Sequence, residues 1–275
     1  MRKPMLKHFL FLHIPKAGGM TLRTTLSRQF YGQKIHLIKQ RVNKESHAFM
    51  QLEKPKAQEV NLLMGHFRYG IHTQFERDFT YLTMLREPVA RVMSEYTFLH
   101  TNEYHHLYQY AKKMSVSDYL ASGMTDQISN GMVRMLSGAE TMSADGMPQR
   151  RDMTEADLSV ALENIEQHFA QVGFIEHYDK SVLLWKRAFN WRYPIYFKEN
   201  MTLKSSKRII ISDNERDKIK QMNQLDIKLY ESLLARFEVK VSELGAGLKA
   251  QLAWFKMLNF VYGIYVRIRF RLGYR

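Results

Sequence analysis

The chain contains no cysteine, so neither a disulfide framework nor a zinc–thiolate site can form, and nothing points to an oxidising compartment. The expectation is a cytoplasmic protein, with the periphery of the inner membrane as the variant. No apolar run approaches the roughly 20 residues a membrane-spanning helix needs. The run behind the basic start Met1-Arg2-Lys3, Phe9 to Leu12, is too short for a signal core and is interrupted by His13 and Pro15. A soluble or peripherally attached protein is expected. Internal repeats and low-complexity tracts are also lacking. Acidic residues are in deficit: 41 Lys+Arg against 27 Asp+Glu leave a net charge of +14. That excess favours anionic partners, whether nucleotide, nucleic acid, acidic glycan or anionic membrane, without choosing among them.

What is present is the composition of a folded globule, 45% hydrophobic and 25% charged over 275 residues, enough for one α/β domain with a substantial core. Three apolar runs, His8 to His13, Val60 to Met64 and Phe79 to Leu85, read as strands, each stopping at a turn. Ala170 to Phe174 and Pro194 to Phe197 read as candidate short strands. Helical patterns fill Tyr104 to Ser137, and Gly138 to Arg151 reads as a loop. Capping boxes at Thr154 and Ser212 start two more helices, the second running to about Phe237. Strands that are apolar throughout and separated by helices predict a parallel sheet covered on both faces, a P-loop-like three-layer αβα fold. Ligands of such sheets bind beyond the carboxyl ends of the strands. The boundary falls at 243: residues 244–275 hold six Lys or Arg, no acid and many aromatics, and read as a tail that contacts a membrane surface or polyanion, or as a solvated element packed on the domain.

Between the first strand and first helix lies His13-Ile14-Pro15-Lys16-Ala17-Gly18-Gly19-Met20-Thr21. Glycines let backbone approach an anion, a helix N-terminus offers free N–H groups and partial positive charge, and Lys16 adds a full one. It is not a Walker A loop, because the lysine precedes the glycine pair and no Ser/Thr follows it to hold magnesium. A kinase-like phosphotransferase is correspondingly disfavoured. A bare glycine turn with a solvated lysine is the plain alternative.

The order strand, PKAGGMT, helix resembles the 5′-phosphosulfate loop of the sulfotransferase superfamily, whose carbohydrate-acting members read PK(T/A)GG(T/S). Ala17 and Met20 depart from the commoner hydroxyl residues, leaving Thr21 to supply a hydroxyl. A second stretch, Leu85-Arg86-Glu87-Pro88-Val89-Ala90-Arg91-Val92-Met93-Ser94, is similar to that superfamily's 3′-phosphate signature, with Arg86 and Ser94 in place. Arginine can grip a phosphate with two parallel N–H bonds. The stretches at 64–67, 130–138 and 172–179 resemble bacterial-type members related to heparan 2-O-sulfotransferases.

The resemblance implies that 3′-phosphoadenosine 5′-phosphosulfate is the co-substrate, held by Pro15 to Thr21, Arg86 and Ser94. It also implies that Lys16 touches the bridging oxygen and that the acceptor is a carbohydrate, acidic glycan or glycolipid. His66, after the second of those strands, occupies the family's base position, since a neutral imidazole suits proton removal from a hydroxyl. His13 and His72 stay as rivals. No metal is expected, nor nucleic acid, although a basic nucleic-acid- or polyanion-binding protein without catalysis is the competing reading; recognisable nucleic-acid-binding signatures are missing.

Overall fold

The computed structural model describes residues 8–38, 42–76, 78–139, 151–197 and 209–271. Strand β1 (His8–Leu12) is buried along its whole length, as an inner strand covered on both faces must be. It is followed by α1 (Gly19–Gln29), β2 (Ile35–Ile38), α2 (Val42–Met50), α3 (Lys54–Gln58) and β3 (Leu62–Gly65). Then come a 3₁₀ turn (Ile71–Gln74), β4 (Phe79–Leu85), α4 (Pro88–Thr101), α5 (Tyr108–Ala111), α6 (Val116–Ser122) and α7 (Gly131–Ser137). The chain continues through α8 (Glu155–His168), β5 (Phe169–Phe174), α9 (Tyr178–Phe189), α10 (Asp213–Met222), α11 (Gln224–Glu243) and α12 (Gly245–Arg271).

The five strands form one parallel sheet in the order β2-β3-β1-β4-β5, so the expected three-layer αβα fold is the observed one. Alternate residues of β1 face opposite sides. Leu10 and Leu12 join the core under α7, α8 and α11. Phe9 and Phe11 join the core formed with Leu22 and Leu26 of α1, Trp185 of α9 and Phe255 of α12. Leu12 pairs with Gly65 and Phe11 with Leu82, which brings the carboxyl ends of β3, β1 and β4 to one edge.

Four expectations are revised. Ile35–Ile38 is a strand that the sequence reading did not identify. Residues 194–197 are not one; the Ile195 carbonyl accepts from Arg28 and the Tyr196 N–H donates to Asn259. The helical stretch 104–137 is three short helices: a capping box at Ser115 starts α6 after α5 has ended, and left-handed backbone at Gly123 (φ 56°) and Asn130 (φ 48°) separates α6 from α7. The helix from Ser212 breaks at Asn223, whose buried amide donates to Ile128 and Ile219 carbonyls and whose oxygen accepts from the Asn130 N–H. Both capping boxes are present, Thr154 with Asp157 and Ser212 with Glu215. Most of the loop expected at Gly138 to Arg151, residues 140–150, lies outside the described residues.

Candidate functional site

The turn after β1 is shaped by two left-handed residues, Lys16 (φ 65°) and Gly18 (φ 75°). Ala17 donates its N–H to the Ile14 carbonyl, so this amide is spent inside the turn and is removed from the set expected to bind a phosphate. The first helical bond of α1 runs from Leu22 to Gly18, which leaves the N–H groups of Gly19, Met20 and Thr21 without intrahelical acceptors. A Cβ on Gly18 would lie 2.2 Å from Ile175 Cδ1, and one on Gly19 1.8 Å from the His13 ring. The glycine pair is therefore required by packing of protein against protein, in addition to the positive φ at Gly18.

Arg86, at the end of β4, donates from Nη1 to the Lys16 carbonyl at 3.2 Å. The guanidinium thus meets the backbone of the Lys16 turn, which puts the two expected anchors on one edge of the sheet. Burial lowers the basicity of Arg86, and the carboxylates of Glu176 and Glu87 oppose that effect. Glu87 caps α4, accepting from the N–H groups of Val89 and Ala90, and Pro88 occupies the first turn as expected. The Lys16 ammonium lies over the ring of Phe98, 3.7 Å from its centroid. Phe98 is one helical turn beyond Ser94, so that face of α4 turns toward the loop. Ser94 is partly exposed there. Burial, the largest cause, brings the Lys16 ammonium down to about 8; Glu95 acts to raise it and Arg86 to lower it.

His66 leaves β3 at the same edge. Its Nδ1 lies 2.7 Å from the His13 carbonyl, and its ring stacks on that of His13 with centroids 4.1 Å apart. A carbonyl only accepts, so Nδ1 carries the proton and Nε2 keeps a lone pair. Burial holds the His66 pKa below 6.5, with Lys16 adding to the effect and the His13 carbonyl opposing it. His13 is lowered further, by burial first and His66 second, and its Nε2 is buried without a hydrogen-bond partner. His72 is elsewhere: it stacks on Phe79 and His168, at the start of β4 and just before β5, on the opposite edge of the sheet.

The donor set fits a doubly phosphorylated nucleotide in kind: a lysine and an arginine on one sheet edge, helix-start amides without intrahelical acceptors, and a serine on the neighbouring helix. Among the described residues, no group of three or more His, Asp or Glu is placed to hold a metal ion. An open cavity of about 360 Å³ is lined by Thr125, Asp126, Ser129, Arg134 and Arg151 among others, and by no residue of the Lys16 turn. Asp126 accepts from Arg68 at 2.7 Å, two residues past His66.

Sequence reasoning missed several of these neighbours. Glu176 accepts from the Glu87 N–H and from the Tyr230 hydroxyl, and the stretch 172–179 was its only signal. Glu95 is buried on α4, and burial raises its pKa. Nothing in the local sequence distinguishes it from a solvated helix residue.

The family model described as Galactose-3-O-sulfotransferase matches residues 10–253. The mouse (Mus musculus) galactose-3-O-sulfotransferase 3 is 26% identical over 200 residues, 70% of this chain and 46% of the relative. The zebrafish (Danio rerio) heparan-sulfate 6-O-sulfotransferase 3-B is 26% identical over 269 residues, 81% of this chain and 62% of the relative. The human (Homo sapiens) galactose-3-O-sulfotransferase 2 is 24% identical over 179 residues, 63% and 44%. The chain spans about half the length of the galactose-3-O relatives it matches. These matches name carbohydrate sulfotransferases, as the motifs do; neither a bacterial type nor a 2-O branch is among the names.

The cytoplasmic placement is overturned, together with its inner-membrane variant. It rested on the lack of cysteine, which excludes disulfides but does not choose a compartment, and the mouse and human galactose-3-O-sulfotransferases are not cytoplasmic enzymes. Among the described residues, no helix is long and apolar enough to cross a membrane. With residues 10–253 matched, most of its length, this chain belongs to the galactose-3-O-sulfotransferase family.

Proposed function

We propose that this chain transfers a sulfuryl group from 3′-phosphoadenosine 5′-phosphosulfate to a hydroxyl of a carbohydrate. The observation that carries the proposal is the contact between Arg86 and the Lys16 turn, with His66 on the same sheet edge. In this reading the amides of Gly19 to Thr21 and the Lys16 ammonium hold the 5′-phosphosulfate. Pro15, Ala17 and Gly18 shape the turn, and Arg86 with Ser94 holds the 3′-phosphate. Two fixed ends leave the sulfur in line with an incoming oxygen.

His66 Nε2, the free lone pair, takes the acceptor hydroxyl's proton as the new O–S bond forms. The S–O bond to the 5′-phosphate breaks in the same step, and Lys16 stabilises the charge gathering on the leaving oxygen. No metal has a role, so activity should be unchanged by EDTA. The acceptor side is assigned to the cavity next to Asp126, and the net charge of +14 favours an acidic glycan or glycolipid. Residues 1–243 form the sulfotransferase domain in this proposal, and the basic helix after it contacts a membrane surface rather than nucleic acid.

The test is incubation with radiolabelled donor and a panel of glycans and lipid extracts. Transfer of label to a saccharide supports the reading, whereas label released only as inorganic sulfate, or retained by the donor, contradicts it.

A further inference from the structure

Helix α12 has two apolar faces. At ~100° per residue, Leu248, Leu252, Phe255, Asn259 and Tyr262 fall on one side. That side is tied down: Leu248 and Phe255 are 3% and 0% exposed, Asn259 accepts from Tyr196, and Tyr262 meets Arg28. On the opposite side, Trp254, Met257, Val261, Ile264 and Ile268 repeat at three- and four-residue steps, joined by Phe260, and all are exposed, Phe260 at 70% and Val261 at 56%. Exposed apolar area so concentrated on one helix marks an interaction surface.

Charge selects the occupant. Lys249, Lys256 and Arg267 project along one flank of this outer face, Arg269 lies on the other, and no acid occurs between Gly245 and Arg271. A second copy of the helix would bring lysine and arginine against lysine and arginine with no carboxylate between them. An anionic lipid surface complements both features, apolar side chains entering the acyl boundary and cations meeting headgroups. Trp254 and Tyr265 are the residue types that settle at that boundary. The helix is also not apolar enough to cross the bilayer. We infer that the outer face of α12 lies in the plane of an anionic membrane.

The orientation leaves the site accessible. Tyr262 meets Arg28 in the last turn of α1, the end of α1 farthest from the Lys16 turn. The distal half of α12 therefore reaches the side of the fold away from the candidate site. This surface does not depend on the catalytic reading, and the two fail in different measurements.

The experiment is flotation of the full chain with vesicles of phosphatidylcholine alone or with about 30% phosphatidylserine, at ~0.1 M and ~0.5 M salt. Binding should require phosphatidylserine, weaken at the higher salt, and shift Trp254 fluorescence to shorter wavelength. Val261→Glu with Ile264→Glu should lower partitioning at least about tenfold, and Lys256→Gln or Arg267→Gln about fivefold each. All variants should keep the wild-type melting temperature. Equal binding to both vesicles, binding to neither, binding to heparin alone, or a dimer that Val261→Glu dissolves would each overturn the inference.

Discussion

Two pairs of stacked histidines sit at opposite edges of the same sheet. His13 and His66 stack at 4.1 Å where the strands end, and His72 and His168 at 4.9 Å where β4 and β5 begin. Burial is the first cause of lowered basicity in all four. What differs is the company. At the lower edge, His72 Nδ1 is paired with the Tyr81 hydroxyl at 3.0 Å and His168 Nδ1 with the Tyr69 hydroxyl at 2.6 Å. At the upper edge, His66 uses one nitrogen on the His13 carbonyl, and Lys16 is close enough to lower its pKa further. A perturbed imidazole therefore does not mark a site by itself; in the proposed reading the neighbouring Lys16 is what singles out His66.

The comparison can be broken most forcefully at Lys16. Lys16→Ala should lower kcat/KM by at least about 10²–10³-fold, the scale of losing a group that stabilises transition-state charge, whereas His72→Asn should leave it unchanged. Equal losses in steady-state assays would erase the distinction between the edges. His66→Ala should lower kcat by roughly 10²-fold or more while leaving the affinity for adenosine 3′,5′-bisphosphate intact. A parallel loss of nucleotide affinity would make His66 a binding residue instead.

The pH profile sharpens the contrast further. In the proposed mechanism neutral His66 is the active form, and its pKa is depressed, so kcat/KM should reach its plateau below the ordinary histidine range. Lys16 must stay charged, so the alkaline limb should fall near its value of about 8 in the free protein. In kcat that limb should move upward, because the bound anion favours the ammonium. The smallest effect belongs to the lower edge. The Tyr81 hydroxyl accepts from the N–H groups of Gly70 and His72. Tyr81→Phe should cost about 1–3 kcal/mol in thermal or urea unfolding and spare catalysis.

Much of this was legible in the sequence because the strands that build the upper edge are all-apolar runs bounded by turns. β1, β3 and β4 announce themselves in this way, and with them Lys16, His66 and Arg86. β2 did not, because Ile35-His36-Leu37-Ile38 is a half-buried outer strand with a histidine inside it. Asn223 broke a helix that propensity would have continued, since its amide satisfies carbonyls 4 and 95 residues away. The glycine pair was read as room for a ligand, yet Ile175 and the His13 ring occupy the space its side chains would need. Long-range packing of this kind leaves no local trace, and Glu95 and Glu176 escaped notice for the same reason.

Two cations gripping one nucleotide is the claim on which the catalytic reading stands. Its most direct measurement is the melting temperature of wild type, Lys16→Ala and Arg86→Ala with and without adenosine 3′,5′-bisphosphate. At about a hundredfold excess over Kd, the wild type should gain ~5 °C or more, and each variant should lose most of that gain. A full shift in either variant, or none in the wild type, would contradict the two-anchor site.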